Sequence, residues 1–523
     1  MNAVPETTAD PAYRTLDGLI RQHARERPDR TALLQRDARL SYAALDALMD
    51  RIAASLQRDG LAPGDVIAIC ANASPRYAAV FLGALRAGVV VAPLAPSVTR
   101  AGFASMLGDA QARWLFVDAT ARDALGDVAA TAYCISLDGI APGRAFDAWL
   151  MPDGARPEPV EVRPAHPFNI IYSSGTTGAP KGIVQSHGMR WSHVMRGATY
   201  GYAADAVTLL ATPLYSNTTL VVFFPTLAFG GSVILMDKFD AATYLALAAQ
   251  HRVTHTMLVP VQYQRIMALP SFDAHDLRSF RFKFCTSAPF AAALKADVVA
   301  RWPGGLVEFY GMTEGGGTCI LEAHAHPDKL HTVGRPAPGH DIRLIDDAGG
   351  ELPAGDASAI GEVVGHSLGM MSGYHRQPGK TREAEWFDAQ GKRFIRTGDI
   401  GRFDADGFLT LLDRKKDMVI SGGFNIYPSD LEAVLRDHAA VADVAVVGVP
   451  SEQWGETPIA FVVRREGSDV AAADLLQWVN LRVGKTQRLA SLAYLADLPR
   501  SAIGKVLKRE LRDAHVKSGN APR

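Results

Sequence analysis

Apolar and polar positions along the first third of the chain fall into short blocks. Asp65–Cys70 (DVIAIC) is a brief apolar run of strand type. Ser74 then offers an N-cap, Pro75 suits the first helical position, and Gly88 can end the helix. Val89–Leu94 (VVVAPL) predicts a second strand, Thr99 caps a further helix, and Trp114–Asp118 (WLFVD) predicts a third strand. Strand–helix–strand–helix–strand with short connections predicts a layered α/β sheet. No repeat of fixed period interrupts that reading.

The texture changes twice. Met151–Pro167 (MPDGARPEPVEVRPAHP) carries prolines unsuited to a central strand and charges that prefer water. It reads as a surface connection between subdomains, leading into a strand at Phe168–Tyr172. The second change lies in Phe408–Gly423, where a strand ending at Asp413 passes into the basic run Arg414–Lys416. About a hundred residues follow, the size of a small domain. They predict a helix at Ser429–Asp437, strands at Val441–Val449 and Pro458–Arg464, and a helix at Ala473–Val483. The expected organisation is a large α/β unit over 1–413, a hinge at 414–416 and a small α+β domain over 417–523.

Composition narrows the function classes. The chain has 523 residues, with 54 basic and 55 acidic side chains and a formal charge of −1. Hydrophobic residues make up 48% and charged residues 21%, which excludes a disordered bulk. Near-zero charge argues against a partner of nucleic acid or acidic lipid for the chain as a whole. No run reaches the roughly 18 apolar residues that span a bilayer, and Leu220–Phe229 is broken by Pro225. The N-terminal MNAVPETTAD lacks the apolar core of a secretory signal. Cys70, Cys134, Cys285 and Cys319 form no CxxC pair and are expected as small buried hydrophobes in a reducing cytoplasm. The expectation is a cytoplasmic enzyme.

Ile170–Val184 (IIYSSGTTGAPKGIV) carries the sharpest chemistry. An apolar strand runs into Ser173, Ser174, Gly175, Thr176, Thr177 and Gly178, and Lys181 closes the loop. Glycines let backbone N–H groups converge on an anion, hydroxyls add donors, and the lysine adds full charge. That set suits a polyphosphate, although it is not a Walker loop, since Gly182 follows the lysine. A plain linker of this composition needs neither the flanking strand nor the lysine.

The loop resembles the signature of the adenylate-forming superfamily, which includes acyl-CoA synthetases, adenylation domains of peptide synthetases and luciferases. The resemblance runs from Leu40–Leu56 to Ser501–Leu511, with several motifs in the family's order. It implies a large N-terminal adenylation domain of several subdomains and a small mobile C-terminal domain. In Tyr310–Gly317 (YGMTEGGG), it gives Thr313 a phosphate contact and Glu314 the magnesium, with Tyr310, Gly311 and Met312 in the same nucleotide site. A lone carboxylate is enough for magnesium, which keeps waters and phosphate oxygens. Asp399 in TGDIGRF and Arg414 in DRKKD match ribose contacts. Ser287, Ala288 and Pro289 match the adenine-side segment, with serine where the family usually has glycine. Lys505 in SAIGKVLKREL matches the catalytic lysine, a mobile cation that offsets charge at the α-phosphate.

Such enzymes work in two half-reactions, using ATP, Mg2+ and CoA on a small carboxylic acid. An acyl-adenylate forms with release of pyrophosphate; the small domain then rotates and a thiol takes the acyl group. Lys416 matches the hinge, Gly422 and Gly423 the loop lining the thiol channel, and Trp454 a pantetheine-packing aromatic. Arg488 is the candidate CoA-phosphate contact, although Thr486 and Leu489 replace the family's usual aromatic and proline nearby. In Thr212–Leu220, Tyr215, Ser216 and Asn217 form the candidate acyl wall. Ser216 stands where many ligases carry histidine, and the polar run to Thr219 suits a small or hydroxylated acid, or simply a surface turn.

The leading expectation is a stand-alone acyl-CoA synthetase, since no carrier domain precedes Arg523, with a homodimer as the candidate assembly. The alternatives are an acyl-AMP ligase loading a separate carrier protein, a non-catalytic nucleotide sensor, and a luciferase-like oxygenase. Intact Lys181, Glu314, Asp399 and Lys505 weigh against the sensor.

Overall fold

The computed structural model describes residues 13–126, 133–173, 181–421, 424–451, 453–501 and 505–517. Among them, sheets of nine, eight, five and five strands form. The eight-stranded sheet contains the expected unit. Val66–Cys70 lies between Val90–Leu94 and Trp114–Val117, both parallel to it, with Ile67 opposite Val91 and Trp114. The helices sit where their caps predict. Ser74 accepts from the Tyr77 N–H ahead of Pro75–Arg86, and Thr99 accepts from the Gly102 N–H ahead of Arg100–Ala110.

The helix Pro75–Arg86 is buried from Tyr77 to Arg86, because it lies between two sheets rather than on one. On its other side is Asn217–Ala228, with the Phe81 and Phe224 rings 5.6 Å apart. One apolar cluster thus joins both large sheets, from Ile67 and Phe116 through Phe81 and Phe224 to Leu235 and Phe284. Pro225 does not break its run: the helix continues through it to Ala228. Among the described residues no helix is long and apolar enough to cross a membrane. All four cysteines are free and buried.

The proline-rich connection lies along the helix Tyr42–Arg58. The Met151 N–H donates to Ser55 Oγ at 2.9 Å, and Glu158 exchanges two hydrogen bonds with the Gln57 side chain at 2.8 and 3.0 Å. It straps one unit instead of separating two.

The small C-terminal domain is built on the hairpin Val441–Ser451 and Gly455–Arg464, longer at its turn than the apolar pattern predicts. Its described helices are Pro428–Arg436, Ala472–Asn480 and Lys508–Lys517. The second ends three residues early. The Asn480 side chain instead takes both backbone groups of Leu489, at 2.8 and 3.0 Å. Leu489, at the family's proline position, is a core residue of this domain.

Candidate active site

A cavity of about 1520 Å³ opens between the large sheets and the C-terminal segment. The hairpin Pro167–Ser173 and Lys181–Ser186 carries one wall, pairing Ser173 with Lys181. Ser174, Gly175, Thr176, Thr177 and Gly178 lie outside the described residues, as do Gly422 and Gly423. Lys181 lines the cavity, its Nζ 4.9 Å from the centre of the Tyr374 ring. The Tyr374 hydroxyl donates to Glu314 Oε1 at 2.9 Å, so cation, ring and carboxylate stand together.

Thr313 and Glu314 follow the strand Gly305–Gly311 on a loop pinned through its backbone. The Thr313 carbonyl accepts from Gln185 Nε2, the Glu314 carbonyl from the Met371 N–H and the Gly315 carbonyl from Ser367 Oγ, each at 2.8 Å. Gly315 has φ +71, and a Cβ there would lie 1.9 Å from the Gly369 carbonyl oxygen. Only glycine lets this loop press against its neighbour. Both side chains ahead of it line the cavity.

Asp399 and Arg414 are cross-strand partners on Arg393–Phe403 and Leu409–Arg414. Arg414 Nε lies 3.0 Å from Asp399 Oδ1, and the Tyr310 hydroxyl donates to Asp399 Oδ2 at 2.8 Å. Both carboxylate oxygens are thereby engaged, and neither Asp399 nor Tyr310 is among the residues lining the cavity. Arg414 is the last residue of its strand, because its backbone pairs with Asp399 before the turn begins. Ser287 sits at φ +83, the left-handed region that accounts for glycine being usual there. Its Oγ is 2.7 Å from Thr218 Oγ1, and it lines the cavity, whereas Ala288 and Pro289 do not.

Tyr215, Ser216 and Asn217 line the same cavity at the start of the helix Asn217–Ala228. The polar run beyond is no surface turn: Thr218 and Thr219 are buried, and Thr219 Oγ1 donates to the Pro213 carbonyl at 2.6 Å. Lys505 enters from the C-terminal side. Its segment is bracketed by the Ser501 N–H donating to the Lys505 carbonyl at 2.8 Å and by the Arg500–Val506 bridge. Burial, then the charges of Arg414 and Lys416, push its ammonium down to about 8. Met312, Gly311, Arg414 and Lys416 also line the cavity. Trp454 and Arg488 do not, and Trp454 is 51% exposed near the tip of its hairpin.

Gln185 escaped the sequence reading. It is fully buried, it holds Thr313, and its Nε2 also lies 3.3 Å from Asn217 Oδ1. Its Oε1 accepts from Asn169 Nδ2 at 3.0 Å and from Arg190. The available signal was an amide that follows the apolar pair Ile183 and Val184 in a short strand. Tyr374 carried no local signal, since it is far from Lys181 and Glu314 in the chain.

Among the described residues no group of three or more His, Cys, Asp or Glu side chains could hold a metal by itself. Glu314, a carboxylate at a cavity also lined by Lys181 and Thr313, fits a magnesium ion that brings phosphate and water oxygens.

The family model described as "AMP-binding enzyme" matches residues 20–375, and "AMP-binding enzyme C-terminal domain" matches 430–505. The chain is 33% identical over 517 residues to the indoleacetate–CoA ligase of Aromatoleum aromaticum, covering 94% of this chain and 96% of that one. It is 32% identical over 505 residues to a feruloyl-CoA synthase of Amycolatopsis, covering 94% and 97%. Among solved structures, ATP-bound MatB from Rhodopseudomonas palustris superposes with a TM-score of 0.85 at 30% identity, covering 96% and 99%.

Proposed function

The chain belongs to the AMP-binding enzyme family, and from that premise we propose how its own residues divide the work of an AMP-forming acyl-CoA synthetase. It is an acid–thiol ligase that activates a carboxylic acid with ATP and transfers the acyl group to CoA. A carboxylate oxygen attacks the α-phosphorus, the bond to the bridging oxygen of pyrophosphate breaks, and pyrophosphate leaves with that electron pair. The thiol sulfur of CoA then attacks the acyl carbon, its proton is lost, and AMP departs.

The observation that carries the assignment is the meeting of Lys505 with Lys181, Thr313 and Glu314 at one cavity, from segments far apart in the chain. Lys181 and the Ser173–Gly178 loop hold the β- and γ-phosphates, and Thr313 and Lys505 the α-phosphate. A lysine ammonium there offsets the charge that builds as five oxygens crowd the phosphorus. Magnesium, held on the protein side by Glu314, supplies further neutralisation of the phosphate oxygens when bound. Asp399, oriented by Tyr310 and Arg414, accepts from the ribose hydroxyls, while Ser287, Ala288 and Pro289 flank the base. Tyr215, Ser216 and Asn217 face the acyl group.

Residues 1–413 form the catalytic body, 414–416 the hinge and 417–523 the moving domain. Asp413 supports that division: its carboxylate accepts from the Arg414 N–H at 2.7 Å and from the Ser429 N–H at 2.9 Å, gripping both sides of the turn. Rotation about Lys416 withdraws Lys505, and CoA is received by Gly422, Gly423, Trp454 and Arg488. The cytoplasm, where ATP and CoA are supplied, is the matching compartment.

Lys505→Ala tests the division of labour. Pyrophosphate release with Mg-ATP and acid is expected to fall on the order of 1,000-fold, while supplied acyl-adenylate still yields thioester. Equal loss in both half-reactions would remove Lys505 from its assigned step.

A further inference from the structure

The buried cations of this protein are mostly matched. Arg86 pairs with Asp46 and Asp50, Lys295 lies 2.5 Å from Glu308, and Lys283 donates to three backbone carbonyls. Arg190 and Arg196 are different: Arg190 is held by the neutral amides of Asn169 and Gln185, whereas Arg196 is half-buried and borders the cavity. It projects from the helix His187–Thr199 and lines the cavity together with Tyr200, Phe284 and Phe309. Its guanidinium carbon lies 5.8 Å from the centre of the Phe309 ring. Among the described residues no carboxylate forms an ion pair with it. Burial lowers its proton affinity, and the opposing influence comes from the Tyr200 hydroxyl. The two imidazoles nearby add no further positive charge. Burial pushes His193 well below the usual histidine range and His340 to about 4, with the Arg196 charge acting in the same direction, so both stay neutral.

A guanidinium partly withdrawn from water without a counter-charge is costly, and aromatic walls strengthen its attraction for any anion that enters. Nothing in the adenylation chemistry above uses this charge. We propose that Arg196 anchors a second carboxylate at the far end of the substrate, so that the acid this enzyme activates is a dicarboxylic acid. One carboxylate meets the α-phosphate beside Thr313 and Lys505; the other pairs with Arg196, and the stem between them packs on Tyr200 and Phe309. This assignment rests on the adenylation reading and adds the substrate class to it.

The test is pyrophosphate release with Mg-ATP from matched pairs that differ only in the distal group: hexanoate and adipate, octanoate and suberate, 4-methylbenzoate and terephthalate. For at least one pair the wild-type enzyme is expected to favour the diacid in kcat/KM. Arg196→Leu should lower the diacid-to-monoacid ratio roughly 100-fold, with Arg196→Lys retaining part of the preference. A wild-type preference for the monoacid in every pair overturns the proposal and leaves adenylation standing; this arm needs no variant. A diacid preference unchanged in Arg196→Leu removes Arg196 from the role. Silence with every acid overturns this proposal together with the adenylation reading.

Discussion

Lys505 sits in the cavity as a lysine whose proton is weakly held. Burial is the main cause, and Arg414 and Lys416 add to it, so its ammonium titrates at about 8 in the free enzyme. A depressed lysine is charged below that value and loses its proton above it. If the ammonium is the working form, kcat/KM for adenylation is expected to fall as pH rises past about 8. Bound nucleotide is anionic and favours the charged form, so the corresponding limb of kcat should lie at higher pH. Lys416→Gln removes one neighbouring cation and should move the kcat/KM limb upward; a limb that stays in place separates Lys505 from it. At this scale much was legible in the sequence. Lys181, Thr313, Glu314 and Lys505 each stand in a motif, and all four reach the cavity. Ser287 was legible as an exception, and its φ of +83 shows why glycine is the easier residue there.

At the scale of elements, the site is held by a buried polar network between strand, helix and loop. Asn169 and Gln185 face each other across the hairpin, Arg190 reaches both from the helix His187–Thr199, and Gln185 passes the connection to Thr313. In such a network each further polar group left without a partner is costly. Gln185→Leu would strand a guanidinium, an amide and the Thr313 carbonyl. It is expected to cost about 3 kcal/mol in urea unfolding and to depress pyrophosphate release more than a core Leu→Ala of equal cost elsewhere. Unaltered pyrophosphate release would detach this network from the loop it holds. Local patterns predicted the strands and helices of the first sheet because caps and apolar runs act within a few residues. They missed the early end at Asn480 and the helix running through Pro225, since those depend on Leu489 and on packing against distant elements.

At the scale of the molecule, the turn after Arg414 is the proposed hinge. The Lys415 N–H donates to the Gly398 carbonyl at 2.8 Å, and the Asp417 and Met418 N–H groups close on the Arg414 carbonyl at 2.9 and 3.0 Å. Lys416 lies between these anchors. Lys416→Pro restricts its φ and should impair thioester formation from acyl-adenylate well beyond any effect on pyrophosphate release. Wild-type rates for both steps would sink the hinge assignment. The sequence by itself determined the α/β class, the strand–helix order of the first sheet and the family, because each of these is written in short-range patterns and in motifs a few residues long. Only the tertiary structure decided that Asp399 is held by Tyr310 and Arg414, that Gln185 holds Thr313, and that Arg196 lines the cavity with no carboxylate paired to it among the described residues. Those facts are about which groups are brought together and which are withdrawn from water, and burial is a property of the packed chain, not of any segment of it.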